Sequence, residues 1–381
     1  MTRPTTTGKA QDLITFTRST TGTYLGSDGL LKSAAINEAR IEYDASGNCL
    51  GLLMEEEKTN ALPYSEDFTQ GNWDKPNTII TSNSAVSPDG QNNASLVTVN
   101  SASYSFVREF LTISAAANTF SVFAKAGTTS SIQLWFVQQG VTDGVASIDL
   151  STGAVTGISG GWTGGVTTKY VGNGWYRIQG TRTFTASANN HGVGVAAIGQ
   201  NGLNFYIYGA QLETGSFPSS YIPTSGSAAT RADDLASLAV SEFGYNQDQG
   251  SVVVESNFFG GTDTSALCYI GEDTSDRIVL YYSNQNLSFQ VKSSGATQAS
   301  ENLSGQRNKA AFRYKLNDIV LAGDGSITST DTAANLLGGT QDNIYIGSYY
   351  HNAGAHLNGH IKSIKYYPVG LSNAQLQALT V

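Results

Sequence analysis

Apolar and polar residues alternate along many short stretches of the chain. In the run SIQLWFVQ, Ile132, Leu134 and Phe136 fall on one side of an extended strand, whereas Gln133 and Trp135 fall on the other. Seven further runs show a comparable alternation: NTFSVFAK (118–125), NFYIYGAQL (204–212), GSVVVESNFF (250–259), RIVLYYS (277–283), LSFQVKS (287–293), AAFRYKL (310–316) and DNIYIGSYY (342–350). These patterns predict a series of β-strands.

Turn-forming sequences separate the predicted strands. SPDGQNN (87–93), DLSTGAV (149–155) and AGDGS (322–326) are rich in glycine, asparagine and aspartate, which tolerate the positive φ angles of tight turns. Short strands at close spacing, with no amphipathic helices between them, are typical of antiparallel β-sandwiches and not of a parallel α/β sheet. The predicted fold class is therefore all-β.

One short helix is predicted at the C-terminal end of the sequence. In LSNAQLQAL (371–379), Ser372 can act as the N-cap and Gln375 follows three residues later, which is the spacing of a capping box. Leu371, Leu376 and Leu379 would then pack onto a sheet.

Two breaks in the strand pattern indicate domain boundaries. The stretch SFPSSYIPTSGSAATRADD (216–234) contains two of the seven prolines and a tract of Ser, Gly and Ala, and an acidic run at 55–57 gives way to Pro63. We therefore expect two tandem sandwiches, with an extended, Thr-rich arm before the first and a linker between them. The expected parts are an arm (1–60), a first sandwich (61–230), a linker (231–249) and a second sandwich (250–381).

The composition narrows the functional classes. Only 13% of the 381 residues are charged, against about 25% in ordinary soluble domains. The formal net charge is −9 and no Lys/Arg cluster is present, which argues against nucleic acid as a partner because its phosphates require such clusters. No apolar run approaches about 18 residues and the first residues lack the apolar core of a leader peptide, so we expect neither membrane insertion nor classical secretion.

Four long phrases resemble stretches of tailed-bacteriophage virion proteins of the tail fibre, minor tail or head fibre type. They are residues 15–68 (beginning TFTRSTTGTYLGSDG), IDLSTGAVTG (148–157), VGNGWYRI (171–178) and FYIYGAQLETGSFPSSYIPTSGSAATRADD (205–234). In those proteins such phrases accompany a jelly roll that resembles carbohydrate-binding modules. The resemblance implies a jelly roll for the first sandwich.

The second sandwich resembles the concanavalin A-like, laminin G-type lectin domains. NIYIGSYY (343–350) and LNGHIKSIKYYPVGLSNAQLQAL (357–379) are similar to the last strands of that family, where a glycine-centred turn precedes a strand and a Leu-Ser helix start. The resemblance implies a jelly roll followed by a concanavalin A-like lectin domain.

The two resemblances together imply a protein of the virion surface, of fibre or decoration type. The arm would attach it to other virion proteins, and the sandwiches would bind host surface polysaccharide for adhesion without catalysis. Such a protein would be assembled in the host cytoplasm and exposed on the particle, as a homo-oligomer for which fibre proteins favour a trimer. Two alternatives remain open: a purely structural capsid or tail decoration or adaptor without a ligand, and a capsule-degrading glycosidase.

Catalytic signatures are weak in this sequence. A retaining glycosidase on a lectin-type sandwich would resemble Glu-x-Asp-x-x-Glu, with two carboxylates about 5 Å apart. The nearest stretch, IEYDASG, has Glu42 and Asp44 but Gly47 at the third position. P-loops are also missing from the sequence, as is a cysteine with a recognisable histidine partner signature, so we predict that the protein is not an enzyme.

Metal signatures are also weak, and we predict no cofactor apart from a possible calcium ion. Three aspartates could contribute to a calcium site of the laminin G type: Asp324, Asp331 and Asp342. Three histidines of one glycine-containing loop are predicted to be incidental and not zinc ligands: His351, His356 and His360. The run Glu55–Glu57 is predicted to be a solvated boundary segment.

A polar surface that carries aromatic side chains remains as the candidate functional feature. Sugars present apolar C–H faces and hydroxyl edges, which flat aromatic rings flanked by amides and hydroxyls can bind. Trp135 and Gln133 lie opposite the apolar stripe of their strand, Trp162 follows two glycines in GGWTGG, and Tyr349 and Tyr350 precede a polar loop. These five residues are the predicted carbohydrate-binding residues, with a packing role as the alternative for each.

The motif GNGWYRI (172–178) is predicted to be structural. Its first three residues form a tight turn into a strand on which Trp175 and Arg177 share one face. We expect Trp175 to support the fold and Arg177 to stack on or pair with a neighbour.

Overall fold

The computed structural model describes most of the chain. The described residues are 13–101, 103–138, 140–199, 201–260, 264–271, 273–336, 341–350 and 355–381, with the backbone alone for residue 188. The strands are numbered in chain order. The N-terminal segment contains β1 (Thr15–Thr17), β2 (Gly22–Leu25), β3 (Leu31–Ala34), β4 (Ile41–Tyr43), β5 (Cys49–Met54) and β6 (Lys58–Asn60).

The central and C-terminal segments contain the remaining strands and one helix. The central strands are β7 (Trp73–Asp74), β8 (Thr78–Ala85), β9 (Ala94–Val99), β10 (Tyr104–Ile113), β11 (Ala117–Ala126), β12 (Ser131–Val137), β13 (Gly144–Asp149), β14 (Ala154–Ser159), β15 (Val166–Gly172), β16 (Trp175–Thr183), β17 (Ala188–Ile198) and β18 (Asn204–Thr214). The C-terminal elements are β19 (Ala229–Arg231), β20 (Leu235–Ala239), a 3₁₀ turn (Val240–Glu242), β21 (Gln249–Phe258), β22 (Thr264–Gly271), β23 (Arg277–Ser283), β24 (Asn286–Ser293), β25 (Ala296–Leu303), β26 (Lys309–Lys315), β27 (Val320–Gly323), β28 (Ser326–Ile327), β29 (Asn343–Ile346), β30 (Gly359–Tyr367) and helix α1 (Asn373–Leu379). The all-β prediction is confirmed, and the eight quoted runs all contain strands.

The first sandwich consists of two antiparallel six-stranded sheets. One sheet has the order β14-β13-β12-β17-β10-β7 and the other has the order β15-β16-β11-β18-β9-β8. Phe120, Leu134, Phe136, Ile178 and Val195 lie between the two sheets, and each is at most 3% exposed. The inward position of Leu134 and Phe136 confirms the face that their alternation predicts, and it leaves Gln133 and Trp135 on the outer side.

The second sandwich consists of two seven-stranded sheets that include N-terminal strands. Their orders are β1-β20-β29-β22-β23-β24-β25 and β28-β27-β26-β21-β30-β5-β4. Phe289 and Phe312 stack between the sheets with ring centroids 4.4 Å apart. Phe16, Leu52 and Met54 belong to the same core.

The extended arm predicted for residues 1–60 is therefore wrong for residues 13–60, the part that the structure describes. Strand β1 pairs with β20, and β5 pairs with β30, so these residues complete the sheets of a sandwich formed from the far end of the chain. The physical reason is burial, since Phe16, Leu52 and Met54 are at most 9% exposed. The linker predicted for 231–249 is wrong as well, because β20 lies between β1 and β29.

A cluster of buried charges joins the N-terminal strands to the chain that follows the first sandwich. This buried junction consists of Arg18, Arg40, Glu55, Arg231 and Asp234, each at most 1% exposed. Arg18 Nη1 lies 3.1 Å from Asp234 Oδ1, and Arg40 Nη2 contacts both Asp234 and Glu55 Oε2, the latter at 2.8 Å. Arg231 Nε lies 3.5 Å from Glu55 Oε2. Buried charges are stable only when they are paired in this way.

Hydrogen bonds extend the junction to the segment that leaves β18. The backbone N–H and the hydroxyl of Ser220 each donate to the Glu55 carboxylate at 2.7 Å. Asn60 Nδ2 donates to the carbonyl oxygens of Ala210 and Ile222 at 3.1 and 2.9 Å. The prediction that Glu55 belongs to a solvated run is thus wrong because three cationic and hydroxyl partners make its burial possible, whereas Glu57 is exposed.

Trp175 has the structural role that its motif predicts. The three residues Gly172–Gly174 all have positive φ, as the predicted turn requires. Trp175 is 1% exposed and donates from Nε1 to the carbonyl oxygen of Val86 at 3.1 Å. The Arg177 guanidinium carbon lies 5.5 Å from the ring centroid of Phe123. The first interaction holds the chain that follows β8 against β16, and the second joins the neighbouring strands β16 and β11.

The predicted C-terminal helix is also confirmed. Ser372 and Gln375 form a reciprocal capping box at the start of α1. Leu371 and Leu376 are buried against the second sandwich.

Candidate functional site

A band of aromatic side chains covers the outer side of one sheet in the first sandwich. We call it the aromatic face, and it consists of Tyr104, Phe106, Arg108 and Phe110 of β10 with Gln133 and Trp135 of β12. The period of two along β10 directs Ser105, Val107 and Glu109 inward and places the other set outward. Tyr104 is 54% exposed and Phe110 is 41% exposed, so the band reaches solvent.

Strand β17 lies between β10 and β12 and has glycines at the positions next to the aromatic side chains of the band. Gly194 of β17 pairs with Arg108 on one side and with Trp135 on the other. A Cβ atom at Gly194 would lie 2.3 Å from the carbonyl oxygen of Val107, and one at Gly192 would lie 2.9 Å from the ring of Phe110. Because β17 has no side chain at these positions, rings from both neighbouring strands can meet above it.

Trp135 contacts the β10 aromatics edge to face. Its ring centroid lies 4.9 Å from that of Phe106 and 6.2 Å from that of Tyr104, with interplanar angles of 89° and 86°. Tyr104 and Phe106 are nearly parallel, at 9° and 5.8 Å. Trp135 Nε1 donates to Gln133 Oε1 at 3.1 Å, which fixes the indole in this orientation. The structure therefore brings Gln133 and Trp135 together, as their shared face predicts.

Arg108 supplies the charged group of the aromatic face. Its guanidinium carbon lies 4.5 Å from the centroid of Phe106 and 4.9 Å from that of Phe110, within cation–π distance of both rings. Its Nε donates to Asp74 Oδ2 at 2.9 Å. The remaining guanidinium N–H groups can donate to a ligand oxygen. The face thus combines ring surfaces, an oriented cation and the Gln133 amide.

Tyr349 and Tyr350 lie far along the chain from this band, in a tyrosine cluster of the second sandwich. Tyr349 has its ring centroid 5.5 Å from that of Tyr269, and Tyr350 lies 5.7 Å from Tyr345. Both predicted residues are half-buried and follow the end of β29 by three and four residues. Burial raises the pKa of Tyr349 to about 12, so the phenol stays neutral. Tyr349 also lines a cleft of about 480 Å³.

Trp162 is partly buried and packs against the first core. Its ring lies 5.2 Å from Phe136, and a Cβ at Gly180 would come within 2.3 Å of it. The indole nitrogen is buried and has no hydrogen-bond partner among the described residues. The glycines at 160–165 therefore leave only part of this side chain in contact with solvent, and its contact with Phe136 favours the packing role. Trp162 does not join Trp135.

The acidic residues and histidines considered for catalysis or metal binding have separate partners. Glu42 Oε2 lies 2.7 Å from His360 Nε2, and Asp233 Oδ2 lies 3.3 Å from His356 Nε2. His351 lies outside the described residues. Within the described ranges, no three His, Cys, Asp or Glu side chains converge as metal ligands would. Asp324 instead accepts a hydrogen bond from the Lys309 backbone at 3.0 Å.

Sequence reasoning did not single out Tyr104, Phe106, Arg108 and Phe110. The available signal was the alternation in YSFVREF, which places these four residues on one strand face. The pairing of β10 and β12 on either side of β17 has no such local signal, because strand order is set by contacts between distant residues.

No protein-family model matches this chain, and no curated protein matches it in sequence. In the described part of the chain, no helix has the length and apolar character needed to span a membrane. Solved structures are similar to it only remotely.

Three of these solved structures indicate the range of the similarity. The CBM40 module of a Ruminococcus gnavus sialidase, bound to α2,3-sialyllactose, is 15% identical, with a TM-score of 0.29 over 36% of this chain and 84% of that one. Domains LG4-5 of the mouse laminin α1 chain are 12% identical, with a TM-score of 0.25 over 72% and 90%. The CBM22 tandem of Paenibacillus barcinonensis Xyn10C is 9% identical, with a TM-score of 0.27 over 86% and 99%. At these TM-scores the similarity says nothing about the ligand of this chain.

Proposed function

We propose that the protein is a non-catalytic glycan-binding protein whose aromatic face binds sugar residues of a surface polysaccharide. The observation that carries the proposal is the contact of Trp135 with Phe106 and Tyr104 on the solvent side of a sheet. Ring surfaces of this kind can cover the C–H face of a sugar, while Gln133 and Arg108 can bind its hydroxyl groups.

The biological setting that we propose is the surface of a bacteriophage virion, where the protein attaches the particle to its host. Support comes from the long phrases at 15–68 and 205–234 that resemble fibre and decoration proteins of tailed phages. In a symmetric oligomer, several weak sugar sites act together and raise the overall affinity by about 10²–10⁴. Attachment by such an array needs no catalytic step.

A structural decoration without a ligand is the second candidate. Two observations favour it: Phe106 is only 7% exposed, and the Trp135 indole N–H is already bonded to Gln133. The aromatic face would then be covered by a neighbouring virion subunit. Hydrolysis has less support, because Asp74, the carboxylate at the edge of the face, is engaged by Arg108.

The test compares Trp135→Ala with Tyr170→Ala in a glycan array and in binding to whole host cells. Tyr170 is a matched control because it is 47% exposed on the other sheet of the same sandwich. We expect Trp135→Ala to lower affinity at least about tenfold, which corresponds to about 1.4 kcal/mol, and Tyr170→Ala to leave it unchanged.

Reducing-end release is followed in the same samples. Binding by the wild type without sugar release, and with loss only in Trp135→Ala, supports the proposal. If the wild type binds neither glycans nor cells, the ligand-free decoration is the better account. Release of sugar would instead establish a glycosidase.

A further inference from the structure

A second concave site lies on the outer side of the second sandwich. This cationic cleft has a volume of about 480 Å³ and is lined by residues that include Arg277, Tyr281, Gln290, Lys292 and Tyr349. A volume of this size lies within the range of small-ligand sites. Val279, two residues before Tyr281 on the same face of β23, is buried in a cluster against which Tyr281 and Tyr349 pack.

Two cations stand directly opposite each other in the cleft. Arg277 of β23 and Lys292 of β24 are register partners in an antiparallel pair. Like charges at such positions destabilise a sheet, so the pairing has a cost that an anionic ligand would remove. Neither side chain forms an ion pair with any residue that the structure describes. Among the described residues that line the cleft, none is Asp or Glu.

Neighbouring side chains hold Arg277 in one orientation. Its Nη2 donates to Gln290 Oε1 at 2.8 Å, and its guanidinium carbon lies 5.8 Å from the ring centroid of Tyr349. Tyr349 in turn packs 6.4 Å from Tyr281. Burial raises the pKa of both phenols, so they remain neutral and add no negative charge beside Arg277. A planar guanidinium fixed in this way matches the two oxygens of a carboxylate.

We propose that the cationic cleft binds a carboxylate-bearing sugar, such as one uronic acid unit of an acidic polysaccharide. Arg277 and Lys292 bind the carboxylate, while Tyr281 and Tyr349 contact the apolar face of the ring. Thr297 and Gln290 also line the cleft, and their side chains can bind hydroxyl groups. This site does not depend on the aromatic face, because the two lie in different sandwiches.

The experiment uses calorimetric titration of the full chain with four probes. These are oligogalacturonate, its methyl ester, a neutral glucan oligosaccharide and sulfated dextran oligosaccharide. The variants are Arg277→Gln and Lys292→Gln, with Lys315→Gln as the control because Lys315 is exposed at the end of β26 in the opposite sheet. Trp135→Ala is measured in parallel to separate the two sites.

We expect oligogalacturonate to bind, its methyl ester to bind at least tenfold more weakly, and the affinity to fall as salt concentration rises. Arg277→Gln and Lys292→Gln should each reduce binding about tenfold or more, whereas Lys315→Gln and Trp135→Ala should not. Lys292→Gln still tests the site if Arg277→Gln fails to fold.

Three results would overturn the inference: no binding of oligogalacturonate, equal binding of its ester, or equal binding of the sulfated probe. Loss of acidic-sugar binding in Trp135→Ala alone would also overturn it. That last result would leave the proposed glycan binding by the aromatic face intact, so the two proposals fail separately.

Discussion

The buried junction and the core of the first sandwich both contain a carboxylate, and they shift its pKa in opposite directions. Glu55 lies in the junction, where burial would raise its pKa but Arg231, Arg40 and hydrogen bonds from Ser220 lower it to about 2. Glu109 is 3% exposed inside the first sandwich and forms no ion pair with a described residue. Burial raises its pKa to about 7, although a hydrogen bond from Asn72 acts in the opposite direction. Burial alone thus favours the neutral acid, and facing guanidinium groups reverse that preference.

The difference also shows what each region contributes to the molecule. The charged groups of the junction connect segments that are distant in sequence. Arg40, for example, contacts Asp234 in the second sandwich and Ser220 in the segment that follows the first sandwich. Each charge there has directional partners, so the arrangement fixes one geometry between the two sandwiches. The first core consists of apolar side chains, and Glu109 lies beside them with a hydrogen bond from Asn72 but with no ion pair to a described residue.

Removal of a junction cation has the largest expected effect. Arg40→Met leaves the carboxylates of Glu55 and Asp234 buried next to each other with one cationic partner fewer. Breaking a buried pair in this way costs about 3–5 kcal/mol, and we expect that loss in the free energy of unfolding at pH 7. Urea unfolding followed by intrinsic fluorescence measures it.

Lys32→Met is the matched control for this experiment. Lys32 pairs with Asp28 at 2.9 Å, but the two side chains are 43% and 47% exposed, so its loss should change the stability little. Equal losses in Arg40→Met and Lys32→Met would show that the junction charges do not stabilise the fold. Addition of Asp234→Asn to Arg40→Met should recover part of the loss, because it removes one uncompensated charge.

Glu109→Gln is expected to have the next largest effect, and its sign depends on pH. The folded-state pKa of about 7 is above the ordinary glutamate value of 4.5, so the native state favours the protonated acid. The contribution of Glu109 to stability is therefore complete below pH 4.5 and is lost as pH rises through 7. At pH 8 we expect Glu109→Gln to be more stable than the wild type by about 3 kcal/mol, and at pH 4 to be nearly equal to it.

Thermal and urea unfolding at pH 4, 6 and 8 would measure this dependence, with Glu57→Gln as an exposed control. A gain that is the same at all three pH values would contradict the raised pKa. The junction should behave in the opposite way. Since the folded-state pKa of Glu55 is lowered to about 2, its contribution is present above pH 4.5 and is lost as pH falls towards 2.

The same contrast explains how much the sequence could predict. Alternation in SIQLWFVQ correctly placed Leu134 inside and Trp135 outside, because the face of a strand residue depends on its nearest neighbours. The prediction of a solvated acidic run is wrong at Glu55. Its cationic partner Arg231 is 176 positions away, and no local sequence pattern indicates their pairing. The N-terminal strands were misread for the same reason, as β5 pairs with a strand more than 300 residues later.

The candidate sites follow the same rule. Gln133 and Trp135 could be grouped from one strand, whereas the aromatic partners on β10 required the strand order. The opposition of Arg277 and Lys292 required the register of β23 and β24. Residue types on one strand could therefore be predicted, and juxtapositions between strands could not.

The smallest expected effect comes from an ion pair at the surface. Asp74→Asn removes the ion-pair partner of Arg108. The side chain of Asp74 is 47% exposed and that of Arg108 is 26% exposed. Water solvates both groups when the pair is broken, so the free energy of unfolding should change by no more than about 1 kcal/mol. Arg108 also keeps its contacts with Phe106 and Phe110, at 4.5 and 4.9 Å, and so keeps its place on the aromatic face. Urea unfolding and glycan titration of Asp74→Asn measure the two consequences together.

A stability loss as large as that of Arg40→Met would mean that direct pairing, and not burial, determines how much an ion pair stabilises this protein. A small stability loss with unchanged glycan affinity would locate the orienting interaction of Arg108 in the two rings, and a small loss with reduced affinity would assign it to Asp74.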